Sequence, residues 1–130
     1  MHDFEGAIFT ALADGLESLF DGITVVSEDL PGTELRFPVV QLRCVDSYPD
    51  ERTAESGDME VRTVQLYEAQ VYSNRSRSEA KAIAKAADSL MTAWGWRRTS
   101  LTPVDGADRT IRRFAVRWRG SVDVDGLVGR

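Results

Sequence analysis

The fold is decided by the stretch RFAVRW at residues 113–118, in which apolar and polar side chains alternate. The even-numbered positions are apolar, namely Phe114, Val116 and Trp118, and the odd-numbered positions include Arg113 and Arg117. A period of two is the pattern of a β-strand that buries one face and wets the other. We therefore predict a strand over 110–118 whose aromatic side chains enter the core and whose arginines reach the surface.

A helix is predicted before the last two strands. Ser76 and Glu79 have capping-box spacing, in which the Ser76 hydroxyl accepts from the Glu79 amide and the Glu79 carboxylate reaches back. Gly95 takes the position that follows a helix end. The apolar face comprises Ala80, Ile83, Ala84, Ala87, Leu90, Met91 and Trp94, and the water-facing side Lys81, Lys85 and Asp88.

The first half of the chain adds one helix and three strands. The helix over 3–20 is capped by Asp3 and ended by Asp21-Gly22. Its apolar stripe comprises Phe4, Ile8, Ala11, Leu12, Leu16, Leu19 and Phe20. Strands are predicted over 23–27, over 37–45 with Pro38 at the start, and over 60–72. The segments 28–34 and 46–58 are predicted loops, the second long and polar.

A strand over 96–104 and a turn at Asp105-Gly106 complete the order α-β-β-β-α-β-β, and the tail from Arg119 is assigned no element. Two amphipathic helices and a mainly antiparallel sheet predict a two-layer α+β sandwich with both helices on one face. No repeat or linker divides the 130 residues. We predict a single domain over 1–130 with a long polar loop at about 46–59.

Catalysis is not expected from the residues present. Cys44 is the only cysteine and lies in an apolar run, and His2, the only histidine, is near the terminus. No phosphate-binding or dinucleotide-binding glycine motif occurs. The acidic cluster at 46–58 lacks the spacing of a calcium-binding loop. We predict no enzymatic activity, no metal site and no cofactor.

The chain is also expected to stay away from membranes. No apolar run approaches the ~20 residues that a transmembrane helix needs. The N-terminus is acidic and lacks the positive region of a secretory signal. We therefore expect a cytosolic protein with no membrane partner.

Charge is distributed unevenly along the chain. Residues 1–74 hold 15 acidic and 4 basic residues, a balance of −11, whereas residues 75–130 hold 6 acidic and 12 basic residues, a balance of +6. The two halves can neutralise each other within one fold, or form complementary surfaces between subunits. The predicted interface residues are Asp46, Asp50, Glu51, Glu55, Asp58, Arg97, Arg98, Arg112, Arg113, Arg117 and Arg119.

The arginine-rich end admits two interpretations. Arginines interleaved with aromatics on a sheet are typical of single-strand nucleic-acid platforms. However, aromatics on the buried parity cannot stack on bases, and the planar fork of arginine suits carboxylates at protein interfaces. Protein–protein contact is therefore favoured over nucleic-acid binding.

Several segments carry a resemblance to a known family. They are Phe37-Pro38-Val39-Val40, Glu68-Ala69-Gln70-Val71-Tyr72-Ser73-Asn74, Ser78-Glu79-Ala80 with Ile83-Ala84, Trp94-Gly95-Trp96-Arg97-Arg98, and Arg112-Arg113-Phe114-Ala115-Val116-Arg117-Trp118 with Val122-Asp123 and Gly126. In their order and spacing, the chain resembles the tail-terminator and tail-completion (head–tail joining, minor neck) proteins of long-tailed bacteriophages over nearly its whole length.

The resemblance implies a structural virion protein with no catalytic residues. Such proteins form a ring, commonly a hexamer, at the head-proximal end of the tail tube, where they end tube growth and join tail to head. The implied partners are further copies of the chain, the major tail tube protein and a head-completion or connector protein. DNA would pass through the bore without specific binding. The implied location is the virion neck, reached from the host cytoplasm during assembly.

Three alternatives stay open at this point. The chain could be another neck component, such as a head-completion or minor capsid protein. It could be a nucleic-acid-binding module that uses the arginine-rich strand. A small hydrolase acting through Asp50 and Glu51 is the third. The loop at 46–58 is expected to reach a neighbouring subunit or ring.

Overall fold

The computed structural model describes residues 4–27, 37–49, 62–106, 110–122 and 128–129. Its elements are α1 (Phe4–Leu19), β1 (Thr24–Val26), β2 (Val39–Pro49), β3 (Thr63–Ser73), α2 (Arg77–Ala93), β4 (Arg97–Val104), β5 (Arg112–Val122) and β6 (Val128–Gly129). The predicted α+β class and the order α-β-β-β-α-β-β are confirmed, and the short β6 follows them. The predicted cap Asp3 and the loop 28–34 lie outside the described residues.

The strands form one sheet in the order β1-β2-β3-β5-β4, with β6 paired to β5. β1 runs parallel to β2, and the other pairs are antiparallel. The registers align Leu42, Ala69, Val116 and Leu101 across four strands. Because opposed residues in a sheet share a face, this register gathers the apolar parity of every long strand on one side.

One hydrophobic core joins this side of the sheet to both helices. Its fully buried members include Leu12 and Leu16 of α1, Ile83 and Met91 of α2, and Tyr67, Val116 and Trp118 of the sheet. The helices approach closely at Gly15, where an added Cβ would lie 2.7 Å from Leu90 Cδ1. The apolar alternation over 113–118 therefore predicted the buried face of β5 correctly.

The start of α2 confirms one half of the predicted capping box. The Glu79 amide donates to Ser76 Oγ at 3.0 Å. The return half is wrong, because Glu79 Oε1 accepts from the Ser73 hydroxyl at 2.8 Å, and Ser73 Oγ accepts from the Ser76 amide at 3.4 Å. Ser73 ends β3 and is fully buried. The Ser73 hydroxyl thus lies between the Ser76 amide and the Glu79 carboxylate, because only three residues join β3 to α2.

Both helices end as predicted. Gly22 follows α1 with φ 75°, and Gly95 follows α2 with φ 97°.

Three side chains lie elsewhere than predicted. Leu19, the last residue of α1, is 60% exposed, and Trp94, the C-cap of α2, is 38% exposed, because each lies where its helix leaves the core. Asp88 does not face water but accepts from Trp118 Nε1 at 3.0 Å.

Two strands are longer than predicted. β2 continues through Pro49, so the predicted loop is wrong over 46–49. A register shift between Cys44 and Asp46 keeps this polar stretch paired with β3. β5 continues to Val122, which corrects the unassigned tail. Pairing with β3 holds these residues in the strand although their polarity suggested a loop.

Candidate functional site

The second face of the sheet is covered by neither helix and carries at least five of the ten arginines that the structure describes. Three of the rows that the strand registers set across it contain arginine. The first row is Val39, Tyr72, Arg113 and Val104; the second is Arg43, Glu68, Arg117 and Ser100; the third is Asp46, Leu66, Arg119 and Arg97. We call the surface formed by Arg43, Arg97, Arg113, Arg117 and Arg119 the arginine face.

Glu68 is the anchor of the arginine face. Its side chain is only 2% exposed, and Arg43 and Arg117 lie on its two sides. Arg117 Nε donates to Oε2 at 2.7 Å, and Arg43 Nη2 donates to Oε1 at 3.0 Å. Gln70 Nε2 adds a third bond to Oε1 at 3.0 Å. Because every donor comes from a strand, the sheet holds both guanidinium groups in place.

The protonation of Glu68 follows from two opposed effects. Burial acts to raise the pKa of the Glu68 carboxyl, because a charge is costly away from water. The hydrogen bonds from Gln70 and Arg117, the charge of Arg117 and the bond from Arg43 outweigh burial, so the pKa lies below its ordinary value. Glu68 is therefore an anion at neutral pH, and it fixes two cations.

A second network orders the end of the face nearest α2. Arg113 Nη2 donates to Gln70 Oε1 at 2.8 Å and to the Tyr72 hydroxyl at 3.4 Å. The Arg113 guanidinium lies 4.9 Å from the centre of the Tyr72 ring, within cation–π range. Gln70 thus connects Arg113 to Glu68, and the two networks are continuous across β3 and β5.

The outer part of the face has unused donors. Arg117 bonds Glu68 through Nε alone and is 52% exposed, while Arg43 is 54% exposed. Arg119 and Arg97 are exposed and opposed in register, and neither has an ion-pair partner within the described residues. The anchored arginines therefore keep hydrogen-bond donors for an external anion, beside two arginines that are wholly available.

The predicted interface residues are divided by the structure. Arg97, Arg113, Arg117 and Arg119 come together on the arginine face, with Asp46 at the β2 end of the third row. Arg98 is on the other face, where its Nη1 lies 3.1 Å from Asp88 Oδ2. Arg112, the first residue of β5, is opposite Ser73 and belongs to the helix side of the sheet. Asp50, Glu51, Glu55 and Asp58 lie outside the described residues.

Sequence reasoning missed Arg43, Glu68, Gln70 and Tyr72. The signal was available in part, because Glu68, Gln70 and Tyr72 occupy the polar parity of a predicted strand whose other parity is apolar. Their partners depend on which strands are neighbours and in which register, and a single sequence does not supply that register.

The described residues also bear on other kinds of site. Within them, no three His, Cys, Asp or Glu side chains are grouped closely enough to hold a metal ion. The Cys44 thiol is half-buried, and its Sγ lies 3.3 Å from the Asp46 carbonyl oxygen. Neither described helix is long and apolar enough to cross a membrane.

The fold and the arginine face define a small α+β protein with a cationic surface built on one sheet face. The chain matches no protein-family model and no curated protein sequence.

Proposed function

We propose that the protein is a structural virion subunit that forms a ring at the head-proximal end of a phage tail tube. In this role it ends tube growth and joins the tail to the head. Its partners would be further copies of itself, the major tail tube protein and a head-completion or connector protein. The proposal is supported by the family resemblance of its sequence segments and by the character of the arginine face.

The arginine face is the observation that carries this proposal. Arginines fixed by a buried carboxylate lose little conformational freedom when a partner binds, so more of the contact energy appears as affinity. Their planar, multidentate donors suit carboxylates on another protein surface. A surface of this kind binds and orients a partner.

The two-layer architecture suits an element that ends a polymer. A tube grows by head-to-tail contacts that do not close, so growth stops at a subunit with one tube-like face and one different face. Here the helix layer and the arginine face are chemically unlike surfaces on opposite sides of one sheet. A ring of such subunits can present one surface to the tube and a different surface to the head.

A second candidate, nucleic-acid binding, is favoured by the exposed cations Arg97, Arg117 and Arg119. Stacking is not available to the aromatics of β5, because Phe114 is 3% exposed and Trp118 is fully buried. Fluorescence anisotropy with single-stranded and duplex DNA at rising salt tests this candidate. We expect weak binding at low salt that disappears at moderate salt; tight, sequence-tolerant binding at physiological salt would favour this candidate instead.

Electron microscopy of particles made without the protein tests the proposed role. We expect overlong tails or tails without heads. Labelled protein in complemented particles should lie at the head-proximal end of the tail tube. A label on the portal or capsid side would assign another neck role, and normal particles made in its absence would contradict the proposal.

A further inference from the structure

Exposed acidic residues lie on α1 and in the turn that follows it. Asp14 and Glu17 are three residues apart on α1, Asp21 is in the turn after Leu19, and all three are exposed, while Leu12 and Leu16 are buried in the core. Within the described residues these three carboxylates form no hydrogen bond or ion pair. We call Asp14, Glu17 and Asp21 the acidic stripe.

The acidic stripe and the arginine face lie on opposite sides of the sheet. α1 packs in the helix layer against α2 and β2, whereas the arginine face occupies the side that neither helix covers. Each surface has charged groups that form no ion pair with the described part of their own chain. The two signs are therefore separated across the thickness of the fold and do not neutralise each other locally.

We propose that the arginine face of one copy receives the acidic stripe of the next copy. The contact is heterologous, because each copy uses a different patch on each side, and repeated heterologous contacts generate a ring or a filament. Arg119 and Arg97, which have no ion-pair partner among the described residues, offer their full charge to the stripe. The second row, anchored by Glu68, supplies further donors from Arg43 and Arg117.

The other charges on these two sides do not reverse this complementarity. α2 adds the exposed cations Lys81 and Lys85 to the helix layer, and its acids Glu79 and Asp88 are paired with Arg75 and Arg98. Among the described residues of the two helices and the turn after α1, the unpaired carboxylates are therefore those of the acidic stripe. Glu68 and Asp46 reduce the positive charge of the arginine face. Glu68 is already satisfied by three donors, so five arginines still outnumber the two acids.

The inference rests on the proposed assembly role and names its contact. It is tested with two charge-reversed proteins, each altered only at exposed residues that have no ion-pair partner within the described ranges. The first carries Arg97→Glu and Arg119→Glu, which reverse the outer row of the arginine face. The second carries Asp14→Arg and Glu17→Arg, which reverse the stripe. Sedimentation equilibrium at low and physiological salt measures self-association of the wild type, of each variant, and of their equimolar mixture.

We expect the wild type to self-associate at low salt and to dissociate as salt rises, because exposed charges are screened over about 8–10 Å at physiological ionic strength. Each variant alone should associate at least about tenfold more weakly. The mixture should recover association, because the reversed face of one variant matches the reversed stripe of the other in an alternating assembly.

A control variant with Lys81→Glu and Lys85→Glu makes the same change in net charge as the first variant without touching the arginine face. Its association should be as strong as that of the wild type or stronger. An equal loss of association in this control would show a net-charge effect and overturn the inference.

Three further results would contradict this contact. They are a wild type that stays monomeric at its highest soluble concentration, a mixture of folded variants that does not recover association, and duplex DNA binding at Arg97 and Arg119 without self-association. Abnormal tails together with salt-insensitive self-association would leave the proposed function standing and reject only this contact. If the mixture of variants recovers association but particles made without the protein have normal tails, the phage role is rejected and the contact is kept.

Discussion

Side chains on the two faces of the sheet are buried by different kinds of interaction. On the helix side, Val116 and Trp118 of β5 are fully buried under α2. On the opposite side, Glu68 is buried by arginine side chains that themselves remain half-exposed. Apolar burial stabilises roughly in proportion to area, whereas exposed ion pairs contribute about 0–1 kcal/mol each. The helix side therefore supplies most of the stability, and recognition is the role that we propose for the arginine face.

The largest effect should come from truncating the centre of the helix side. Trp118→Ala removes a fully buried ring and leaves Asp88 without its indole donor. We expect a loss of about 3–5 kcal/mol in the free energy of unfolding, measured with urea. Trp118→Phe, which keeps a large aromatic ring, should lose clearly less. Equal losses for the two variants would show that packing at this position does not control stability.

Adjacent residues of β5 allow the two faces to be compared directly. Gly120 lies under Trp96, and an added Cβ would meet Trp96 Cε3 at 2.5 Å. Gly120→Ala should therefore lower the free energy of unfolding by about 1–3 kcal/mol through overpacking. Arg119→Ala, one residue earlier on the other face, should change it by less than about 0.5 kcal/mol. Similar losses at both positions would contradict the assigned division of roles.

The buried anchor should make stability depend on pH. Glu68→Gln keeps the shape of the side chain but removes its charge, and we expect it to lower the free energy of unfolding at neutral pH by about 1–3 kcal/mol. Because the pKa of Glu68 is lowered by folding, its contribution is complete above the ordinary carboxyl pKa. That contribution is lost as pH falls through the folded-state value.

Urea unfolding over a series of acidic pH values checks this expectation. The difference between wild type and Glu68→Gln should shrink as the pH is lowered, since both side chains then become neutral. A difference that stays constant or grows on acidification would show that the charge of Glu68 is not what holds Arg43 and Arg117.

Sequence alone predicted the elements whose pattern is local. The alternation at Phe114, Val116 and Trp118 predicted the buried side of β5, and Ser76 and Gly95 located the ends of α2 correctly. These predictions succeeded because capping, helix periodicity and strand alternation act within a few residues.

The prediction was wrong where neighbouring strands override local polarity. The segment 46–49 is polar but belongs to β2, because it remains paired with β3 after the register shift at Cys44 and Asp46. The same limit applies to the candidate site, since the link from Arg43 to Glu68 to Arg117 joins residues on three strands. Arginine-rich composition predicted an interface at this end of the chain, but the anchor Glu68 required the register.

The central claim is that Arg97 and Arg119, the outer row of the arginine face, contribute to association and little to stability. A single protein, carrying Arg97→Ser and Arg119→Ser, tests it most directly when sedimentation equilibrium and urea unfolding are measured beside the wild type. We predict weaker self-association at low salt with a free energy of unfolding within about 0.5 kcal/mol of the wild type. Unchanged association, or a loss of stability comparable to that of Trp118→Ala, would contradict the account.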